Sequence, residues 1–178
     1  MTSTLIPNPA FGRIGIMGRA NKPSVIQSIY QICDFFHEQG LPLLIDHQTA
    51  RLPALDFARL GNIATIERSL LGGACDLVIV VGGDGSLLHA AQVLVKHKVP
   101  VVGVNRGRLG FLTDIYPDDL NIKLTSILQG HYQLEDRFLL KMEIRQGAHV
   151  IYEDMALNDI VLHAGKSCLL YTSDAADD

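Results

Sequence analysis

A carboxylate set among glycines is the first feature of this chain that could do chemistry. Asp84 stands in Gly82-Gly83-Asp84-Gly85-Ser86, directly after the apolar run Leu77-Val78-Ile79-Val80-Val81. Glycines let backbone N–H groups approach an anion, and a following helix N-terminus adds a favourable field. Yet no Gly-Lys-Ser/Thr follows, so no lysine is placed to neutralise a terminal phosphate, and the turn is not Gly-x-Gly-x-x-Gly. An acid beside phosphates is unfavourable unless it holds a metal or takes a proton from a hydroxyl. Both needs arise in phosphoryl transfer to an alcohol. The plainer alternative is a strand-to-helix turn whose aspartate caps the helix near Ser86.

Two further stretches carry polar residues in apolar or glycine-rich settings. Asn105-Arg106-Gly107-Arg108-Leu109-Gly110-Phe111-Leu112-Thr113-Asp114 follows another apolar run, Val99 to Val104. Its arginines, Arg106 and Arg108, suit phosphate or simple solvation, and the plain reading of Phe111 and Leu112 sends them into the core. Ala156-Leu157-Asn158-Asp159-Ile160-Val161-Leu162-His163 sets Asn158 and Asp159 inside what reads as an apolar strand. Adjacent polar side chains there need partners unless one faces solvent.

The elements that position these residues follow from periodicity. Leu77 to Val81 reads as a strand buried on both faces. Leu87, Ala90, Ala91, Leu94 and Val95 keep helical spacing, which places His89 in the first turn of that helix. Arg13 to Met17 predicts a first strand, and Pro23-Ser24 opens a helix that Gly40 ends. Leu41 to Ile45 predicts a second strand, after which Asp46 reads as ordinary loop polarity. Residues 47–72 are poorly periodic, with a short helix expected within Arg51 to Ala64, and Gly72-Gly73 reads as punctuation. Pro117 starts a helix that Gly130 closes. Then Phe138, Leu140, Met142 and Ile144 alternate, Gln146-Gly147 turns, and Val150 and Tyr152 alternate on the return, the pattern of antiparallel strands. The predicted class is therefore α/β: a Rossmann-like parallel sheet over 1–114, then the beginning of a β-rich second domain over 115–166. In a parallel sheet the two glycine-rich loops share one edge, which favours a common ligand cleft there.

Composition narrows the function classes. Hydrophobic residues make up 48% and charged ones 19% of the 178 residues, enough apolar material for a packed core. Fifteen basic residues against nineteen acidic ones, a net charge of −4 with no basic block, argue against a nucleic-acid binder. No run of about eighteen apolar residues predicts a membrane span, and Met1 to Ala10 carries no signal-peptide pattern. Cys33, Cys75 and Cys168 are unpaired in spacing and suit a reducing cytoplasm, and the seven histidines show no zinc spacing, so no metal-ligating residues are expected.

Taken together, the Gly82–Ser86 turn, the Asn105–Asp114 run and the Ala156–His163 segment resemble the bacterial NAD kinases in order and spacing, from Arg13 to Lys166. The turn alone is shared with lipid kinases and phosphofructokinases, whereas the other two stretches are far more specific. The resemblance implies phosphorylation of the adenosine-ribose 2′-hydroxyl of NAD by ATP, giving NADP and ADP, with Mg²⁺ supplying charge neutralisation at the ATP phosphates. It makes Asp84 the proton acceptor, puts Gly85 beside it, and sets His89 against NAD. It gives Asn158 and Asp159 the adenine and ribose end of NAD, and Phe111 the adenine pocket. It also implies a cytoplasmic enzyme, a homodimer or homotetramer, with no nucleic-acid or membrane partner. Asp159 departs from the glutamate common in the family, which shortens the reach of that carboxylate. Ser167 to Asp178 reads as a non-native tail on an N-terminal fragment, which leaves activity of the chain itself in question. The alternatives are a lipid or sugar kinase sharing the glycine turn, or a non-catalytic nucleotide-binding module.

Overall fold

The computed structural model describes residues 9–107 and 111–161. Leu109, Arg108, Gly110, His163, Lys166 and Cys168 lie outside them, as does the segment read as a non-native tail. The first strand, Ile14–Gly18 (β1), is buried at every residue. The helix Pro23–Glu38 (α1) follows, with proline in its first turn and Ile29, Ile32 and Phe36 on its inner face. It stops where Gly40 adopts φ +69°, a conformation that only glycine takes cheaply. Next come the strand Leu43–Asp46 (β2), the short helix His47–Ala50 (α2), the strand Ile63–Ile66 (β3) and the helix Arg68–Ala74 (α3). The strand Leu77–Gly82 (β4) leads into the helix Asp84–Leu94 (α4), and the strand Val101–Asn105 (β5) completes the first sheet.

These five strands are parallel in the order β3-β2-β1-β4-β5. Strand β4 shows why its run has no polar alternation. Leu77, Ile79 and Val81 face one core with α1, while Val78 and Val80 face another with Leu71 of α3 and Ala90 and Leu94 of α4. A period of two with helices on both faces demands apolar residues throughout. The first core also takes in Ile115, bridged to Val104, and Leu120, Leu124 and Leu128 of the helix Leu120–Leu128 (α5). Strands Leu140–Gln146 (β6) and His149–Ala156 (β7) then pair antiparallel across the Gln146-Gly147 turn. The fold is thus a parallel α/β layer followed by a small antiparallel sheet, as the periodicity predicts.

Several local expectations are corrected. The short helix expected within Arg51 to Ala64 is there as a single 3-10 turn, Phe57–Leu60, but the stretch then runs into β3, which is not expected. β3 escapes periodicity because it has only four residues, two of them exposed. Gly72 and Gly73 do not punctuate: they lie inside α3, where the ring of His97 packs on them. Asn158 and Asp159 do not lie within a strand, because β7 ends at Ala156, and both are exposed. Phe111 does not enter the core either; its side chain is 85% exposed. Asp46 is not loop polarity but the last residue of β2, fully buried.

Candidate active site

The strand order reverses direction between β1 and β4: the chain moves outward through β2 and β3, then returns across the sheet to β4 and β5. Loops leaving the carboxyl ends of the two central strands diverge, which opens a crevice in sheets of this kind. Gly82 to Ser86 leaves β4 at that point, and the Asn105–Gly107 turn leaves β5 beside it.

The two glycine-rich loops touch. The Arg106 N–H donates to the Gly82 carbonyl at 2.8 Å, and the Gly107 N–H donates to Asn105 Oδ1 at 2.9 Å. A Cβ built on Gly107 would stand 3.2 Å from the Gly83 Cα. The glycines at this junction are needed for close approach, since the positive-φ glycines among the described residues are Gly40, Gly61, Gly130 and Gly147.

Asp84 closes the junction. It is the first residue of α4, with Gly83 as the N-cap, so the aspartate is not the cap that the plainer sequence reading expects. Its Oδ2 accepts from the Phe111 N–H at 2.8 Å and its Oδ1 from the Leu112 N–H at 3.1 Å. An ionised carboxylate offers about four lone-pair sites. Two amides therefore fix its direction and leave acceptor capacity for a third group. Beside it Gly85 is exposed, and apart from its chain neighbours and its own helix backbone no described atom lies within 4 Å of where its Cβ would be.

His89, in the second turn of α4 and not the first as expected, because the helix already begins at Asp84, lines a narrow pocket with Gly18, Arg19, Arg68 and Ser86. Burial pushes its imidazole below the usual histidine range, and Arg68 and Arg19 push the same way against the opposing pull of Asp46. Behind the pocket lies a network that the sequence did not announce. Arg68 Nη2 meets Asp46 Oδ1 at 2.8 Å, and Arg68 Nε donates to the same oxygen at 2.9 Å. Asp46 Oδ1 also accepts from the N–H groups of Gln48 and Thr49, and Asp46 Oδ2 accepts from the Thr49 hydroxyl. Thr49 Oγ1 in turn receives the Gly18 N–H at 2.7 Å, and Arg68 Nη2 donates to the Gly18 carbonyl at 3.2 Å. The last residue of β1 is thereby tied to the last residue of β2.

Asn158 and Asp159 are exposed and follow the other sheet, which touches α4 away from Asp84. Gln92 Nε2 of α4 donates to the Met155 carbonyl of β7 at 2.7 Å. Gln92 lies eight residues beyond Asp84, about 12 Å along the helix at 1.5 Å per residue. The segment that carries Asn158 and Asp159 leaves β7 there, three residues after this contact. A concavity of about 480 Å³ lies elsewhere, on the outer side of α1 around Tyr30 and Arg59. It holds none of the expected site residues. No cluster of three His, Cys, Asp or Glu side chains among the described residues could hold a metal ion.

The sequence matches the family model described as the ATP-NAD kinase N-terminal domain over residues 14–132, two thirds of its length. The chain belongs to the ATP-NAD kinase family. That match spans the five-stranded sheet, Asp84 and the loop bearing Phe111. Among similar proteins, the NAD kinase of Psychrobacter arcticus is 59% identical over 162 residues, covering 91% of this chain and 50% of that protein. The NAD kinase of Acinetobacter baylyi is 52% identical over 158 residues, covering 89% and 50% respectively. The chain thus spans about half the length of the curated relatives it matches. The crystal structure of yeast NADH kinase complexed with NADH superposes with a TM-score of 0.69 at 19% identity, over 87% of this chain and 52% of that one. At that identity the likeness concerns the fold.

Proposed function

We propose that this chain carries the catalytic half of an NAD kinase, which transfers the γ-phosphoryl group of ATP to the adenosine-ribose 2′-hydroxyl of NAD. The observation that carries this is the Asp84 carboxylate, oriented by the Phe111 and Leu112 amides where two glycine loops meet at the switch-point crevice. In the transfer, the 2′-oxygen bonds to the γ-phosphorus as the bond to the β,γ-bridging oxygen breaks. The hydroxyl proton passes to Asp84, and ADP leaves. Gly85 gives the ribose room, His89 lines the dinucleotide side of the crevice as a neutral imidazole, and Asn158 and Asp159 hold the adenine and ribose end. Exposed Phe111 offers its ring as a stacking surface for adenine. Mg²⁺ belongs to the donor in this scheme: the described residues form no cage for it, and magnesium is commonly held by phosphates and water.

The α/β layer, whose core extends past the expected boundary at 114 to take in Ile115 and α5, supplies the acid and the phosphate-facing loops, and the antiparallel sheet of β6 and β7 with the segment after it supplies the dinucleotide contacts. No helix among the described residues is long and apolar enough to cross a membrane. A cytoplasmic homo-oligomer acting on NAD and ATP, without nucleic acid or lipid as partner, completes the proposal. The test is production of NADP from NAD and MgATP, read by an NADP-specific dehydrogenase, on this chain and on this chain continued at Lys166 by the second half of the Psychrobacter arcticus relative. Asp84→Asn should lower turnover about 10²- to 10⁴-fold, the usual worth of a positioned base, with NAD binding kept. Undiminished turnover in that variant removes Asp84 from the role.

A further inference from the structure

Arg106 does not reach into the crevice. Its Nε donates to Ser28 Oγ at 2.5 Å, on a serine of α1 that is fully buried, and its Nη2 lies 3.4 Å from Gln31 Oε1 one turn further along. Its own backbone N–H holds the Gly82 carbonyl. One residue therefore pins the start of the second glycine loop to α1 through its side chain and to the first glycine loop through its main chain. Downstream the same loop supplies the Phe111 and Leu112 amides that grip Asp84.

From this we infer that Arg106 is a positioning residue: by fastening the loop to Ser28 and Gln31 it sets the direction of the Asp84 carboxylate. A phosphate-binding role would leave the guanidinium facing the cleft, whereas here its fork is spent on α1. The half-burial of the side chain, which lowers its affinity for a proton, accords with an arginine seated in structure, with Asp118 the opposing charge nearby. The fork geometry matters, because Nε and Nη2 engage two acceptors at once, which a lysine cannot reproduce.

The inference rests on the proposed role of Asp84 for its consequence, but its geometry is tested without turnover. In ¹H–¹⁵N spectra of the ¹⁵N-labelled chain, Asp84→Asn should move the Phe111 and Leu112 amide signals, which report the contact with the carboxylate. Arg106→Met and Ser28→Ala should each move the same two signals while the remaining amide spectrum stays folded, and Arg106→Lys should move them less. If the chain or its extended form turns over NAD, kcat should fall about a hundred-fold in Arg106→Met, as expected for a misplaced catalytic group, with KM for NAD little changed. Folded variants whose Phe111 and Leu112 signals stay where they are in the unsubstituted protein overturn the inference. Absence of turnover in the unsubstituted protein would instead count against the proposed function. Should Arg106→Met fail to fold, Ser28→Ala decides the matter, since it removes one acceptor and leaves the loop sequence intact.

Discussion

Arg68 and Asp46, twenty-two residues apart, form an ion pair at 2.8 Å in which the carboxylate is wholly buried and the guanidinium nearly so. The pair lies directly behind the crevice, and its partners tie β1, β2 and α2 into one unit. Removing one member leaves the other charged and desolvated, a cost of about 3–5 kcal/mol. Arg68→Met should lower the unfolding free energy by about that amount in urea denaturation followed by circular dichroism. The double variant Asp46→Leu with Arg68→Met should recover much of the loss. A single variant as stable as the parent would show that the pair contributes nothing.

Gly85 separates folding from function. It is the second residue of α4 and faces open space among the described residues. Gly85→Ala should therefore raise stability, by up to about 1 kcal/mol from helix propensity. The added methyl group would occupy the room proposed for the ribose, so NAD binding by calorimetry should weaken at least tenfold, about 1.4 kcal/mol. Unaltered binding would move the ribose away from this glycine.

Acidification should act through His89. Its folded-state proton affinity is lowered by burial and by Arg68 and Arg19, so the unfolded chain binds the proton more readily. Stability from this residue is complete above the ordinary histidine value near 6.5 and is lost as pH falls below it. His89→Gln should flatten the melting-temperature profile in that window. An identical profile in the variant would exclude His89 as its source.

The thiols make a simpler test. Burial pushes Cys33 up to about 12 and Cys75 up to about 11, so little thiolate exists at pH 8. Iodoacetamide should leave both unmodified in the folded chain by mass spectrometry and label them rapidly in denaturant. Rapid labelling of either in the native state would contradict their burial.

Asp84 brings a structural cost of its own. The asparagine in Asp84→Asn turns an NH₂ group toward one of the two amides that now donate to the carboxylate. A stability loss of about 1–3 kcal/mol should accompany the loss of turnover. Asp84→Ala, which presents no opposing donor, gives the control by chemical denaturation. Equal stability of all three proteins would show that the loop does not depend on this contact.

What the sequence determined by itself was whatever depends on neighbours along the chain. The unbroken run Leu77 to Val81 could only be a strand covered on both faces, and a glycine turn after such a strand placed Asp84 at the sheet edge. The alternation from Leu140 to Tyr152 announced the hairpin for the same local reason. Tertiary structure alone decided which distant groups meet. A four-residue strand such as β3 draws its order from pairing with β2, a contact that periodicity cannot register. Asp46 looked like loop polarity because the arginine that neutralises it lies on another helix. The ends of Phe111 and Arg106 were not legible from the sequence either: the plain reading sends the ring into the core, and the cation suits phosphate or solvent. Only the folded chain put the ring outside, the guanidinium on α1 and the Phe111 and Leu112 amides on Asp84. Charge and hydrogen-bond complementarity act through space, so they become legible only once the sheet has brought its loops to one edge.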